Sequence, residues 1–234
     1  MNEKRLLKRI ASKLPVRWQQ QLRHLYSVRQ IKTGRFLSDV PEFNQFGQWL
    51  TEGDWVLDIG ANVGNYVIQF SKMVGKKGRV IAVEPVPETF ELLAANVVAL
   101  LPDRNVTLLN IAASDTSTAK GIRIPKFDTG WKNYYEAHLT DNNPDFNVLC
   151  LPIDSLNIPH RIKLVKIDAE GHDYSVLKGM KNLLQRDYPT LIIENGSSEV
   201  ISFLKERGYS YKKNEGSQNF IFQYSQMPEK LKAS

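Results

Sequence analysis

Four ionisable side chains fall within six residues of one another in the second half of the chain: Asp168, Glu170, His172 and Asp173. They follow an apolar run over residues 162–167 that is typical of a buried strand. A carboxylate or imidazole whose pKa lies near the working pH can take the proton of a hydroxyl nucleophile. His172 has the most suitable intrinsic pKa, and Asp168 or Glu170 becomes suitable where burial raises its pKa. The cluster predicts a proton-transfer site or, alternatively, a solvated acidic loop before a helix.

Two further polar side chains, Glu194 and Asn195, follow the apolar run over residues 190–193. In a parallel sheet this strand end is expected beside the first one, which would bring Glu194 close to Asp168. Three oxygen ligands of this kind suit Mg²⁺, which binds and acidifies a substrate hydroxyl. The same carboxylates can instead accept hydrogen bonds from loop backbone, so the sequence leaves the metal open. The predicted catalytic set is Asp168, Glu170, His172 and Glu194.

The clearest ligand-binding pattern is a strand that runs into a glycine-bearing turn and then a helix. Its glycines allow close approach of backbone to a ligand, and the helix start offers free N–H donors. A dinucleotide fingerprint requires Gly-x-Gly-x-x-Gly, but Asn62 stands where the second glycine belongs. The turn therefore favours a nucleoside ligand without a pyrophosphate, of which S-adenosylmethionine is the common example. The residues assigned to it are Asp58, Gly60, Ala61, Asn62 and Gly64.

Two more strand ends complete the predicted cofactor site. Glu84 follows the second strand, and an acid at this spacing accepts hydrogen bonds from a ribose diol. The next two residues, Pro85 and Val86, are expected against the adenine. The third strand leads to Ala112, Ser114 and Asp115, which would either read the adenine N6 or form an ordinary capped turn.

Strand and helix patterns alternate along the sequence around these side chains. This alternation predicts an α/β fold with a mostly parallel sheet and helices on both faces. Residues 121–151 form an insertion between the third and fourth strands, expected to carry short strands of its own. Residues 209–224 read as a terminal antiparallel hairpin. The insertion's polar aromatic side chains are interpreted as a substrate wall or as a satellite core: Trp131, Tyr134, Tyr135 and His138.

At this point the sequence resembles the FkbM family of S-adenosylmethionine-dependent methyltransferases. The resemblance covers about residues 50–224 and rests on these motifs: residues 56–64, 84–85, 112–115, 153–154, 166–171, 176–179 and 191–194. It implies the seven-stranded class I methyltransferase fold and O-methylation of a hydroxyl on a sugar, glycolipid or secondary metabolite. Asp173 stands where the family often has Glu.

The first 32 residues hold nine Lys or Arg and one acid, Glu3, whereas the other 202 carry 22 basic and 24 acidic residues. Residues 3–30 are predicted to be helical, with apolar positions along one face and a break at Pro15. This helix either docks on an anionic membrane or an acidic partner, or packs as a cap with a solvated basic face. The expected division is an N-terminal helical segment (1–50), a methyltransferase domain (51–226) and a tail (227–234).

Charge distribution and the glycine turn bear on three alternative functions. The near-neutral body disfavours a nucleic-acid methyltransferase, and Asn62 disfavours an NAD-dependent oxidoreductase. A cofactor-binding, membrane-associated module without turnover is the non-enzymatic alternative. The single cysteine, Cys150, cannot form an internal disulfide, and no run approaches the length that spans a bilayer, so a cytoplasmic protein is expected, peripheral to a membrane if the N-terminal helix docks.

Overall fold

The structure is a computed structural model that describes residues 14–33, 41–103, 105–128, 130–194 and 196–225. The first half of the predicted N-terminal helix and the C-terminal tail lie outside the described residues, as does Asn195. Within the described ranges no helix is both long enough and apolar enough to cross a membrane.

A seven-stranded sheet forms the centre of the protein. Its strands are β1 (Trp55–Ile59), β2 (Arg79–Val83), β3 (Val106–Leu109), β8 (Ile162–Ile167), β9 (Thr190–Glu194), β10 (Tyr209–Lys213) and β11 (Asn219–Tyr224). Their order is β10-β11-β9-β8-β1-β2-β3, and only β11 runs antiparallel to its neighbours. The predicted mostly parallel sheet with a terminal antiparallel hairpin is confirmed.

Helices cover both faces of this sheet, because side chains alternate between the faces along each buried strand. The helices are α1 (Val16–Thr33), α2 (Asn65–Val74), α3 (Pro87–Leu100), α4 (Asp173–Lys178), α5 (Lys181–Asp187) and α6 (Ser198–Lys205). Leu57 and Val165 face a core that includes α4, α5 and α6. Val56 and Leu164 face the opposite core, which includes α2 and α3.

The insertion between the third and fourth strands of the main sheet builds a second sheet of four strands. These are β4 (Ala112–Ala113), β5 (Thr118–Arg123), β6 (His138–Thr140) and β7 (Phe146–Leu151), in the order β4-β7-β5-β6. Short 3-10 helices lie at Pro41–Gln48, Tyr134–Glu136 and Ile153–Leu156. The second sheet encloses a small core of its own, with Ile122, Val148 and Cys150 buried in it.

The strand register places the predicted functional residues side by side. Ile59 pairs with both Val83 and Ile167, and Ile167 pairs with Ile193. The residues that follow these positions are Gly60, Glu84, Asp168 and Glu194. Four neighbouring strands therefore end level with one another and deliver these residues to one edge of the sheet, where ligands bind in open α/β folds.

Residues 173–187 form two helices, α4 and α5, which are separated at Gly179. A Cβ built on Gly179 would lie 1.8 Å from the carbonyl oxygen of Ser114, so only glycine allows this approach to the strand β4 loop. The break follows from this packing, which the local sequence pattern does not reveal.

We expect Gly179→Ala to lower the free energy of unfolding by about 3 kcal/mol, because the new methyl group meets backbone that cannot move aside cheaply. Gly47→Ala is the matched control, since a Cβ at Gly47 meets no atom within 4 Å. We expect that control to change stability by less than about 1 kcal/mol. Urea unfolding of both variants checks the prediction, and equal stabilities would contradict it.

Candidate active site

A cleft opens at the carboxyl edge of β1, β2, β8 and β9 and is closed on one side by the insertion. The cleft has a cavity volume of about 200 Å³ and is partly open to solvent. The predicted site residues that line it are Gly60, Asn62, Glu84, Pro85, Val86, Ala112, Asp168, Glu170, His172 and Glu194.

The glycine turn forms the floor of the cleft. Gly60 adopts φ +75°, and a Cβ there would lie 1.8 Å from the carbonyl oxygen of Asp168. Glycine at position 60 is therefore needed both for its dihedral and for close packing of β1 on β8. Asn62 adopts the left-handed φ of +49°, and its side-chain oxygen accepts a hydrogen bond from the Val63 N–H. That local bond stabilises a conformation that Asn tolerates better than most residues.

Glu84 is almost fully buried on the adjoining wall. Its carboxylate accepts hydrogen bonds from the backbone N–H of Asn62 at 2.9 Å and of Val86 at 3.0 Å. Burial raises the pKa of Glu84 to about 7, although both backbone N–H groups oppose the shift. A carboxylate has about four lone-pair sites, so two remain for a ligand. The side-chain amide of Asn110 donates to the carbonyls of Glu84 and Pro85 and fixes this segment.

Asp168 and Glu194 face each other across neighbouring strand ends and share a hydrogen bond between their carboxyl groups. We call these two residues the carboxyl pair. Lys166 donates to Asp168 Oδ2 at 2.8 Å. The Lys166 ammonium holds the pKa of Asp168 below its usual value despite burial. Burial and the ionised Asp168 together raise the pKa of Glu194 to about 7, so Glu194 is the member of the pair that gains and loses a proton near neutral pH.

Lys166 also belongs to the site, although its sequence position alone predicted no role for it. Its side chain is 5% exposed and lies between Asp58 and Asp168, with its Nζ 4.9 Å from the centre of the Tyr66 ring. Asp58 is completely buried, and neither of its oxygens has a hydrogen-bond partner among the described residues. Burial raises the pKa of Asp58 to about 6, and Lys166 opposes the shift. Lys166 and Asp168 are two residues apart at the end of a strand, which places their side chains on one face of the sheet. This spacing is the sequence feature from which their contact could have been predicted.

We expect Lys166→Met to lower the free energy of unfolding by about 3–5 kcal/mol, because it leaves buried carboxylates without a cation. Lys163→Met is the matched control on the same strand, since Lys163 is only half-buried and forms none of these contacts. That variant should stay within about 0.5 kcal/mol of the wild type. Chemical unfolding at pH 7 measures both, and equal effects would show that Lys166 does not neutralise the site.

His172 reaches the cleft from the start of α4. Its Nε2 lies 3.0 Å from Ser114 Oγ, and burial, together with the charge of Lys120, lowers its pKa. His172 is therefore neutral at pH 7, and the hydroxyl of Ser114 orients its ring. Asp173 accepts a hydrogen bond from the Ala169 N–H and closes the loop that carries Asp168. Glu170, in that loop, is exposed and adopts a left-handed φ of +46°.

Five residues assigned to the cofactor on sequence grounds do not line the cleft. They are Asp58, Ala61, Gly64, Ser114 and Asp115. Asp58 lies beneath the floor, and a Cβ at Gly64 would press on Leu93, so that glycine serves helix packing. Asp115 pairs with Lys178 at 2.5 Å on the outer side of His172. Ser114 and Asp115 thus contact His172 and Lys178 of α4 in this structure.

Asp168 and Glu194, the two described residues of the magnesium hypothesis, share a hydrogen bond, and Lys166 donates to Asp168. Among the described residues no group of three or more His, Cys, Asp or Glu side chains is arranged to hold a metal ion. Asn195, the third ligand in the magnesium hypothesis, lies outside those residues.

The insertion supplies the outer wall. Tyr134, Tyr135 and His138 line the cleft, whereas Trp131 does not. Arg23 of α1 lies over the Tyr134 ring, with its guanidinium carbon 3.9 Å from the ring centre. The aromatic side chains of the insertion thus line the cleft, and Tyr134 also packs against Arg23 of α1.

Comparison with known proteins agrees with this architecture. The model of the family described as the Methyltransferase FkbM domain matches residues 58–211. The chain is 29% identical over 139 residues to the hexuronic acid methyltransferase AglP of Haloferax volcanii, covering 57% of this chain and 53% of that protein. The crystal structure of Methyltransferase FkbM from Methylobacillus flagellatus aligns with a TM-score of 0.52 at 17% identity. That alignment covers 75% of this chain and 44% of the other, and it shows a shared fold. The chain thus spans about half the length of both proteins.

Proposed function

We propose that this chain, which belongs to the FkbM methyltransferase family, transfers the methyl group of S-adenosylmethionine to a hydroxyl group of a sugar. The observation that carries the proposal is the carboxyl pair at the same strand edge as Glu84 and the glycine turn. One half of the cleft can hold a nucleoside, and the other presents a base. The relative named a hexuronic acid methyltransferase supports a sugar acceptor.

The residues of the cleft fit the cofactor. The free lone pairs of Glu84 can accept hydrogen bonds from the two ribose hydroxyls, and Pro85 and Val86 offer apolar surface for adenine. The turn at Gly60 and Asn62 leaves its backbone close to the ligand. When bound, S-adenosylmethionine supplies an electrophilic methyl group to an attacking oxygen.

The protein's part in the reaction is to position the acceptor and remove its proton. A hydroxyl held against the carboxyl pair loses its proton as the oxygen attacks the methyl group. Because Lys166 keeps Asp168 ionised, the proton passes to Glu194, whose pKa of about 7 suits a general base. Glu170, His172 and the aromatic wall are assigned to acceptor binding, where correct alignment of the reacting atoms supplies much of the rate.

The test is transfer of labelled methyl from S-adenosylmethionine to simple glycosides, one series with hexuronic acids and one with neutral hexoses. We expect label in a hexuronic acid glycoside, as an ether that survives mild alkali. Alkali-labile label would mean an ester of the sugar carboxyl and would overturn the hydroxyl assignment. Label in no sugar would overturn the acceptor class. A parallel series in excess chelator tests the magnesium alternative, since activity unchanged there removes it.

A further inference from the structure

Helix α1 exposes large apolar side chains to solvent instead of burying them against the domain. Four large side chains of α1 project into solvent, with exposed fractions of 60% for Trp18, 45% for Leu22, 67% for Leu25 and 64% for Tyr26. Positions 18, 22 and 25 follow the spacing of one helical face. We call Trp18, Leu22, Leu25 and Tyr26 the apolar stripe. A surface helix normally places such side chains against the core.

The opposite face of α1, which packs on the domain, is largely polar. Gln20 donates to Glu91 at 3.1 Å, and Asn96 donates to Ser27 at 3.1 Å, both across the contact with α3. Among the described side chains of α1, Ile31 is the one aliphatic side chain that is buried. The domain therefore contacts α1 through these hydrogen bonds and Ile31, and the apolar stripe lies on the solvent side of the helix.

The charge of α1 indicates what that surface is. The helix contains Arg17, Arg23, Arg29 and Lys32 and no acidic residue. The sequence preceding it adds five more basic residues against one acid. A second copy of this chain would bring like charges together, which disfavours self-association through the stripe. An anionic lipid surface offers apolar depth for the stripe and negative headgroups for its flanks, and Trp and Tyr are favoured at such boundaries.

We propose that α1 is an interfacial helix that docks the protein on anionic phospholipid membranes through the apolar stripe. Arg23, on the same helix, contacts Tyr134 of the cleft wall. The proposal goes beyond the reaction and does not depend on it, since binding to lipid needs neither cofactor nor acceptor.

The test is sedimentation of the full chain with vesicles of phosphatidylcholine, with and without phosphatidylserine. We expect binding only to vesicles with phosphatidylserine, weakened by added salt because the headgroup attraction is screened. The double variant Trp18→Gln, Leu25→Gln should reduce the constant for binding to these vesicles by about tenfold or more. The matched control is Val98→Gln, Leu149→Gln, which changes two other exposed apolar side chains and should bind as the wild type does.

Several outcomes would overturn the proposal. They are no binding of the wild type to anionic vesicles, equal binding to neutral ones, or equal losses in both double variants. Concentration-dependent dimerisation that the Trp18→Gln, Leu25→Gln variant abolishes would assign the stripe to a second copy. Retention on immobilised polyglutamate without vesicle binding would assign it to an acidic protein. Circular dichroism of each variant verifies that its helical content is unchanged, and an altered spectrum calls for repetition with Trp18→Ser alone.

Discussion

We expect Glu194→Gln to lower kcat by about 10²–10⁴-fold, the usual contribution of a general base. The amide keeps the size of the side chain but cannot take the acceptor proton. Affinity for S-adenosylhomocysteine should be unchanged, because Glu194 is assigned to the acceptor side of the cleft. The measurement is steady-state methyl transfer to the sugar acceptor together with calorimetry of the product cofactor.

The pH profile gives the same prediction a second readout. The pKa of Glu194 is raised to about 7, so the carboxylate needed to accept a proton is populated above that pH and lost below it. Wild-type kcat should therefore rise with pH through about 7, and the Glu194→Gln variant should lack this limb. Glu206→Gln, at an exposed position outside the cleft, is the control. A Glu194→Gln enzyme with full kcat and an intact acid limb would remove Glu194 from the reaction.

Glu84→Gln should weaken S-adenosylhomocysteine binding by about 100-fold, since hydrogen bonds to a charged group contribute about 1.5–3 kcal/mol each. Glu88→Gln is the matched control, because Glu88 lies on the adjoining helix and contacts Lys132 without lining the cleft. The affinity should also depend on pH. Glu84 accepts ribose hydrogen bonds best when ionised, and its pKa is raised to about 7. Wild-type affinity should fall as the pH drops through that value, and Glu84→Gln should show no such fall.

If Glu84→Gln and Glu88→Gln bound S-adenosylhomocysteine with equal affinity, the placement of the ribose at Glu84 would be contradicted. The comparison is made by titration calorimetry at pH 6 and pH 8, on either side of the Glu84 pKa of about 7. Thermal unfolding of each variant separates a loss of binding from a loss of folding, since Glu84 also accepts two backbone hydrogen bonds.

The sequence predicted the frame of the cleft well because that frame is local. Strand ends are marked by the change from β-branched residues to glycine and acids, and parallel pairing then aligns Gly60, Glu84, Asp168 and Glu194 without further information. Tertiary packing decided what the sequence missed. The break at Gly179 depends on contact with Ser114, which lies 65 residues earlier in the chain.

The face on which α1 packs was also beyond the sequence pattern. Helical periodicity identifies a face of large apolar side chains but not the surface that it meets. Hydrogen bonds from Gln20 and to Ser27 decide that α1 packs by its other side. The role of Lys166 could have been read from its position two residues before Asp168, since a lysine in a buried strand requires a carboxylate partner.

We expect the cleft to bind the nucleoside of S-adenosylmethionine. Titration calorimetry of the wild-type chain with S-adenosylhomocysteine, and separately with NAD, tests this expectation. We expect saturable binding of S-adenosylhomocysteine and no binding of NAD, because the turn at Asn62 lacks the second glycine of a pyrophosphate site. Binding of NAD with no binding of S-adenosylhomocysteine would contradict it.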